Sequence, residues 1–358
     1  MSSASSLNTD IRTIAVCAAQ VPFFSGGAEA HVGGLITQLR QRGFEVDLIS
    51  LPFKWYPEAQ LMRSIEMWQK VDLTESNGKK IDLVIATKFP SYFVQHPRKV
   101  LWLIHQYRQM YDLLGTPHSP YDMNSFRDRH FRNKFVKLDT SALASYSRRY
   151  TNARNTADRL EKHCGLPAEA LYHPPPLMGR YTNIDYQDYV VSVGRLDQLK
   201  RLDCLLRALP HMDTAIHAKI AGTGPERDNL EALAEELGVK DRVEFLGFVP
   251  DEDVVALYGN ASAVYFAPHD EDYGYITLEA FLSGKPVITA PDAGGPLEFV
   301  RHDVNGLVLD CQDAEALGAS IQDLVLDKKR CAEMGAAGAE SIAGISWENV
   351  IDTLIRDA

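Results

Sequence analysis

Short apolar, β-branched runs alternate with amphipathic stretches along most of the chain. In the first half the runs at 13–18, 45–50, 82–87 and 100–104 have the length and composition of buried strands, and residues 28–42 carry the apolar spacing of a helix. The second half repeats the rhythm, with strands expected at 189–193, 215–220, 243–246, 263–266 and 286–289 and helices at 226–237 and 276–283. Strands alternating with helices predict parallel βα units, so the expected class is α/β with two Rossmann-like doubly wound domains. Between them lies His173-Pro174-Pro175-Pro176 and a polar stretch to Asp188, which offers few backbone donors and no helical period. The expected division is a first domain over 1–174, a linker over 175–187 and a second domain over 188–346, with a terminal helix at 347–358 packing back on the first. The polar run 74–80 reads as a surface loop.

The length of 358 residues suits two such domains, and 45% hydrophobic with 24% charged residues is ordinary for a soluble chain. Five scattered cysteines, none in a C-x-x-C pair, fit neither a disulfide framework nor a structural zinc site, and point to a reducing cytoplasm. No run reaches membrane-spanning length, and the first residues lack the apolar core of a secretion signal. The net charge of −11 argues against nucleic acid as a partner, although residues 88–154 hold 12 Lys and Arg against 4 Asp and Glu. Within that basic part, Phe131, Phe135 and Leu138 stand at helical spacing among cations. An ordinary amphipathic helix covering a sheet accounts for them, with weak peripheral contact of segment 127–137 at an anionic inner membrane face as the alternative.

Ligands of open parallel sheets bind beyond the carboxyl ends of the strands, so the loops there carry the candidate chemistry. Gly26 and Gly27 follow the first strand and open the first helix, where backbone N–H groups can approach a phosphate; a tight turn explains them equally. Arg195, with Lys200 five residues on, follows the first strand of the second domain and can clamp a diphosphate; a solvated basic turn is the bland alternative. Glu271 and Glu279, in Glu271-Asp272-Tyr273-Gly274-Tyr275-Ile276-Thr277-Leu278-Glu279, place one carboxylate in a loop and one two turns into a helix, with an anion-facing turn between. An acidic first helical turn explains Glu271 and Asp272 without a ligand but leaves Glu279 unexplained.

These motifs, together with Ala-Gly-Thr-Gly-Pro at 221–225, Phe-Leu-Gly-Phe-Val at 245–249, Gly-Lys-Pro-Val-Ile at 284–288 and Gly294-Gly295-Pro296-Leu297-Glu298, occur in an order that resembles the retaining glycosyltransferases of the GT-B superfamily, family 4 (glycosyl transferases group 1). The resemblance runs from about residue 13 to Trp347. It implies a GT-B fold, two Rossmann-like domains facing each other across a cleft, and a metal-independent transfer of sugar from a nucleoside diphosphate sugar, UDP- or GDP-linked, to an acceptor hydroxyl on a glycan, lipid-linked or small molecule. No cofactor is implied beyond that co-substrate. By the same resemblance Arg195 and Lys200 bind the donor diphosphate, Glu271 meets the donor sugar and Glu279 the ribose. The backbone from Gly274 through Tyr275, Ile276 and Thr277 to Leu278 contacts sugar and phosphate, Phe248 and Val249 lie at the base, and Gly26 and Gly27 close on the diphosphate. His105, at the end of a strand, matches the histidine beside the transferring sugar, and Gln106, Tyr107 and Arg108 are acceptor candidates. The chain departs from the family at Thr151-Asn152-Ala153, where a Ser or Asn-Ser is usual.

Three other readings compete. Asp270-Glu271-Asp272 and Asp251-Glu252-Asp253 spell the D-x-D metal-diphosphate signature of the GT-A fold. A sugar-nucleotide epimerase shares the GT-B architecture. An NAD(P)-dependent dehydrogenase would use Gly222-Thr223-Gly224-Pro225-Glu226-Arg227, but there the dinucleotide fingerprint breaks at Arg227.

Overall fold

The computed structural model describes residues 10–23 and 26–356. The chain divides into two compact units, Met1–His173 with Ser346–Ala358, and Pro174–Ile345. In the first, β1 (Thr13–Gln20), α1 (Gly27–Gln41), β2 (Glu45–Pro52) and α2 (Glu58–Lys70) are followed by a small hairpin, β3 (Glu75–Ser76) and β4 (Lys79–Lys80), then β5 (Leu83–Ala86), β6 (Lys99–Leu103), α3 (Phe126–Ala144), β7 (Arg149–Thr151), α4 (Arg154–Cys164) and β8 (Glu169–Ala170). The main sheet is parallel in the order β2-β1-β5-β6-β7-β8. Its central strands are apolar at successive positions because helices cover both faces. Ile14, Val16 and Ala18 of β1 pack with Val32, Leu35 and Leu39 of α1, whereas Ala15 and Cys17 face the cluster that holds Leu61, Ile65 and Trp68 of α2 and Phe135 of α3.

The stretch 74–80 is that hairpin rather than a plain loop. Asn77 and Gly78 take φ of 53° and 77°, the pair of positive values a tight two-residue hairpin turn needs and that Asn-Gly supplies at low cost. The basic helix α3 uses its apolar stripe inside the unit, since Phe131, Phe135 and Leu138 all join the cluster on the sheet. Among the described residues no helix is long and apolar enough to cross a membrane.

The second unit contains β9 (Tyr189–Val193), α5 (Leu202–Ala208), β10 (His217–Ala221), α6 (Arg227–Glu236), β11 (Val243–Gly247), α7 (Asp251–Asn260), β12 (Ala263–Tyr265), α8 (Tyr275–Leu282), β13 (Val287–Thr289), β14 (Gly306–Val308), α9 (Ala314–Leu326) and α10 (Lys328–Ser341). Its six strands are again parallel, in the order β11-β10-β9-β12-β13-β14. Segment 175–187, expected as a linker, belongs structurally to this unit. The backbone N–H groups of Ile184 and Asp185 donate to Gly259 at 2.8 and 3.0 Å, and that of Gln187 to Asn260 at 2.9 Å. The fully buried Lys285 donates to the Asn183 side chain and the Asp185 carbonyl and lies 3.7 Å from the Tyr186 ring centroid. Three prolines hide these bonds from a reading of local pattern, because the partners come from α7 and the turn after α8.

The chain then returns to the first unit as α11 (Trp347–Arg356), whose Val350, Ile351, Leu354 and Ile355 are fully buried in the β1 and α1 cluster. At roughly 1.5–3 kcal/mol per buried aliphatic side chain this face holds the helix firmly, and Arg148 donates to the Thr353 carbonyl at 2.7 Å, satisfying an orphan acceptor in its last turn. Trp347 packs on Trp102 and His173, with ring centroids 6.2 and 5.5 Å apart. Gly34 makes room for it, since a Cβ there would stand 2.7 Å from the Trp347 ring.

Candidate functional site

The loops after β9, β10, β11, β12 and β13 leave the carboxyl edge of the second unit's sheet, whereas the Gly284-Lys285-Pro286 turn enters β13 at the opposite edge. The loop after β9 is fixed by close backbone approach. Gly194 donates to Ala221 at 2.9 Å, Leu196 donates to Thr223 at 3.0 Å and Gly222 donates to Gly247 at 2.7 Å. A Cβ on Gly222 would lie 1.7 Å from the Gly194 carbonyl oxygen, and one on Gly224 would lie 2.1 Å from that of Leu196. The two glycines that begin the broken dinucleotide fingerprint are therefore the floor on which the Arg195 loop rests. Gly222 also sits at φ +133°, so Gly222→Ala is expected to cost about 3 kcal/mol or more from clash and strain together. Urea unfolding measures it, and a cost under about 1 kcal/mol would contradict this packing.

Arg195 leaves that loop with its side chain half exposed, and its Nε is 3.8 Å from Asp197. Lys200 pairs directly with Glu271 and stands 5.5 Å from the Phe266 ring centroid. Arg201, next in sequence, has a different job. It donates to the Ala267 carbonyl at 2.8 Å and the Pro268 carbonyl at 2.5 Å, and grips Asp292 with two nitrogens at 2.7 and 3.0 Å. This brace ties the Lys200 turn to the segment that leads into Glu271, and neither Arg201 nor Asp292 announces it in sequence.

The Glu271 loop is pinned from the other side. The backbone N–H of Glu271 donates to the Ala293 carbonyl at 2.8 Å and its carbonyl accepts from Gly295 N–H at 2.9 Å, while a Cβ on Gly295 would fall 2.6 Å from the Asp272 carbonyl. Gly274, at φ +83°, turns the chain into α8. Thr277, in the first turn of α8, is fully buried and its hydroxyl finds no hydrogen-bond partner among the described residues. In the second turn, closer to the start of the helix than the expected two turns, Glu279 accepts from the Tyr258 hydroxyl at 2.8 Å and from Tyr181. Burial pushes its carboxyl up to about 7 despite those two donors. Tyr258 is fully buried, and Tyr181 comes from the segment expected to be a linker. Phe248 projects into solvent just before α7, at 81% exposure, with Val249 beside it. Asp251, Glu252 and Asp253 form the acidic first turn of α7, and among the described residues no three His, Cys, Asp or Glu side chains are grouped to hold a metal.

The family described as glycosyl transferases group 1 matches residues 180–341, nearly the whole of this unit. The second unit belongs to that family. D-inositol 3-phosphate glycosyltransferase of Mycolicibacterium smegmatis is 36% identical over 173 residues, covering 47% of this chain and 39% of that protein. The chain thus spans about two fifths of the length of the curated relatives it first matches. Among solved structures, sucrose-phosphate synthase from Thermosynechococcus elongatus superposes with a TM-score of 0.78 at 18% identity, covering 97% of this chain and 99% of that one. Anabaena HepE in complex with UDP and glucose gives 0.69 at 19% identity, covering 96% and 99%. The fold is the expected GT-B fold, with a Rossmann-like sheet in each unit.

The remaining candidates stand on the carboxyl edge of the first unit's sheet. Gly26 caps α1 in extended conformation and its N–H donates to Glu29 at 2.9 Å; Ser25 lies outside the described residues. Glu29 also pairs with Lys88 at 2.6 Å, a cation from the loop after β5 that a reading of motifs passes over. His105 follows β6, and its Nδ1 lies 2.8 Å from the Gln106 carbonyl. A carbonyl only accepts, so that nitrogen carries a proton.

Two acceptor candidates are corrected. Gln106 is buried and donates to Asp139 at 3.1 Å and to the Cys164 sulfur at 3.3 Å. Tyr107 is buried between Phe89 and Phe135, with centroids 5.3 and 5.7 Å away. Both belong to the interior because Asp139, fully buried in α3, draws Gln106, Tyr92 and Tyr111 around itself, the two hydroxyls at 2.6 Å. Burial raises its carboxyl to about 6 even so. Arg108 is partly exposed and pairs with Asp112 at 2.6 Å.

Proposed function

We propose that the chain is a retaining, metal-independent glycosyltransferase of the cytoplasm that moves a sugar from a UDP- or GDP-linked donor to an acceptor hydroxyl. The observation that carries the reading is the gathering of Arg195, Lys200, Glu271 and the Gly274–Leu278 turn at one sheet edge, inside the segment the family matches. UDP and glucose in the HepE complex make UDP the first nucleotide to try.

In this reading Lys200 and Arg195 stabilise the diphosphate as the glycosidic bond breaks, and Glu271 stabilises the oxocarbenium-like sugar. The Lys200 and Glu271 pair is a resting arrangement. A bound donor presents phosphate oxygens to Lys200 and hydroxyls to Glu271, so each group exchanges its partner for substrate. Glu279 hydrogen-bonds the ribose, held in place by Tyr258 and Tyr181, and Phe248 and Val249 border the base. The incoming hydroxyl attacks on the face the diphosphate leaves, with a donor phosphate oxygen as proton acceptor.

Glu271→Ala is expected to lower nucleoside diphosphate release from the donor by roughly 10²–10³ in kcat. Its ion pair is partly exposed, so the melting temperature should fall by no more than about 3 °C. A parallel loss of melting temperature and activity would make Glu271 a loop brace instead.

A further inference from the structure

The cysteines lie far apart in sequence, yet the fold brings two of them together. Cys204 is in the first turn of α5 and Cys311 follows β14, each 4% exposed. Their thiols lie close enough to perturb one another. The Gln312 amide nitrogen lies 3.8 Å from the Cys204 sulfur and 3.6 Å from that of Cys311. Gln312 is exposed, so the pair lies one residue beneath the surface.

The surroundings differentiate the two sulfurs. The neighbouring Cys204 thiol, the Arg201 guanidinium and a Gln312 N–H together bring the Cys311 thiol below its usual range. Cys17 and Cys331 are buried as well, and there burial pushes the thiol upward. Cys331 instead donates its S–H to the Leu324 carbonyl at 3.0 Å. A lowered thiol with a second thiol beside it, both against one amide donor, is what an attacking cysteine and its resolving partner require.

We propose that Cys204 and Cys311 form a reversible disulfide on exposure to hydrogen peroxide, a modification site built into the second unit. The Cys311 thiolate attacks one peroxide oxygen, the O–O bond breaks, and the departing hydroxide takes a proton to become water, leaving a sulfenic acid on Cys311. The Cys204 sulfur then attacks the Cys311 sulfur, the S–O bond breaks, and water leaves with the Cys204 proton as the S–S bond forms. Two thiols are oxidised and one peroxide is reduced to two waters. A dithiol reverses the step by exchange. The cross-link would fasten the start of α5 to the end of β14, directly after the Arg201 brace.

The pair stands independently of the glycosyltransferase reading, because its test uses no sugar donor. The full chain, reduced and freed of reductant, is treated with one equivalent of hydrogen peroxide, and free thiols are counted before non-reducing peptide mapping. The expected result is loss of two of the five thiols, a peptide joining Cys204 to Cys311, and full recovery with dithiothreitol. In Cys204→Ser the cross-link should vanish while a sulfenic-acid trap labels Cys311. Five surviving thiols, oxidation falling first on the more exposed Cys164, or a link through any other cysteine would overturn the proposal. Cys311→Ser should leave Cys204 unlabelled, and labelling of Cys204 there would overturn the assignment of the attacking sulfur.

Discussion

Lys200→Ala is expected to lower kcat/KM for the donor by roughly 10²–10³, about 3–4 kcal/mol of transition-state stabilisation, with Arg195→Ala falling in the same range. The size follows from their task. Each supplies a cation to a diphosphate that gains charge as the sugar departs, and the second unit holds both on a loop whose backbone is locked by Gly222 and Gly224. Stability should barely respond, because the Arg195 side chain is 49% exposed and Lys200 meets a partly exposed carboxylate. Lys200→Ala also leaves Glu271 without its cation, so its melting temperature should drop slightly more than that of Arg195→Ala. Turnover of either variant within a factor of three of the parent, by diphosphate release at saturating acceptor, would remove that residue from the clamp.

The second large effect concerns acid. His31 is almost fully buried, 4.0 Å from the Trp102 ring centroid and 4.2 Å from that of His173. Burial and the nearby Lys88 bring its imidazole down to about 3, and His173 is also held well below its usual value by burial. A base with a lowered folded value binds its proton in the unfolded chain first. Its contribution is therefore complete above about pH 6.5 and is lost as pH falls toward 3, about 2 kcal/mol by pH 5 for His31. Buried acids act oppositely. Glu279 and Asp139 hold their protons in the fold up to about 7 and 6, so they add stability as pH falls into that range. The whole-chain profile is a sum of opposing slopes, and the difference between parent and His31→Phe isolates one of them. Urea unfolding should show the variant gaining about 2 kcal/mol on the parent between pH 7.5 and pH 5. An unchanged difference across that range would mean that His31 is protonated in the fold.

The long strands and helices were legible because a doubly covered parallel sheet demands unbroken apolar runs, as in Thr13–Gln20 and Tyr189–Val193. Strands of three residues, such as Arg149–Thr151 and Gly306–Val308, are too short to show a period and are defined by their neighbours. Charged residues at strand ends gave Arg195, Lys200 and Glu271 their place. What escaped notice depends on chain segments meeting in space. Tyr181 and Tyr258, 77 positions apart, meet at Glu279, Arg201 reaches Asp292, and Gly222 touches Gly194 backbone to backbone. Gln106 is a case of the same kind, since its position after a strand suggests the ligand side and only the fold reveals Asp139 beneath it.

The most direct test of the central claim is a thermal-shift series with UDP, GDP, ADP, TDP, NAD and NADP, each with and without EDTA. The account predicts a rise of several degrees with one nucleoside diphosphate, unchanged by EDTA, corresponding to about 2–3 kcal/mol at a hundredfold excess over Kd. A rise with NAD or NADP alone would contradict it and favour a dehydrogenase.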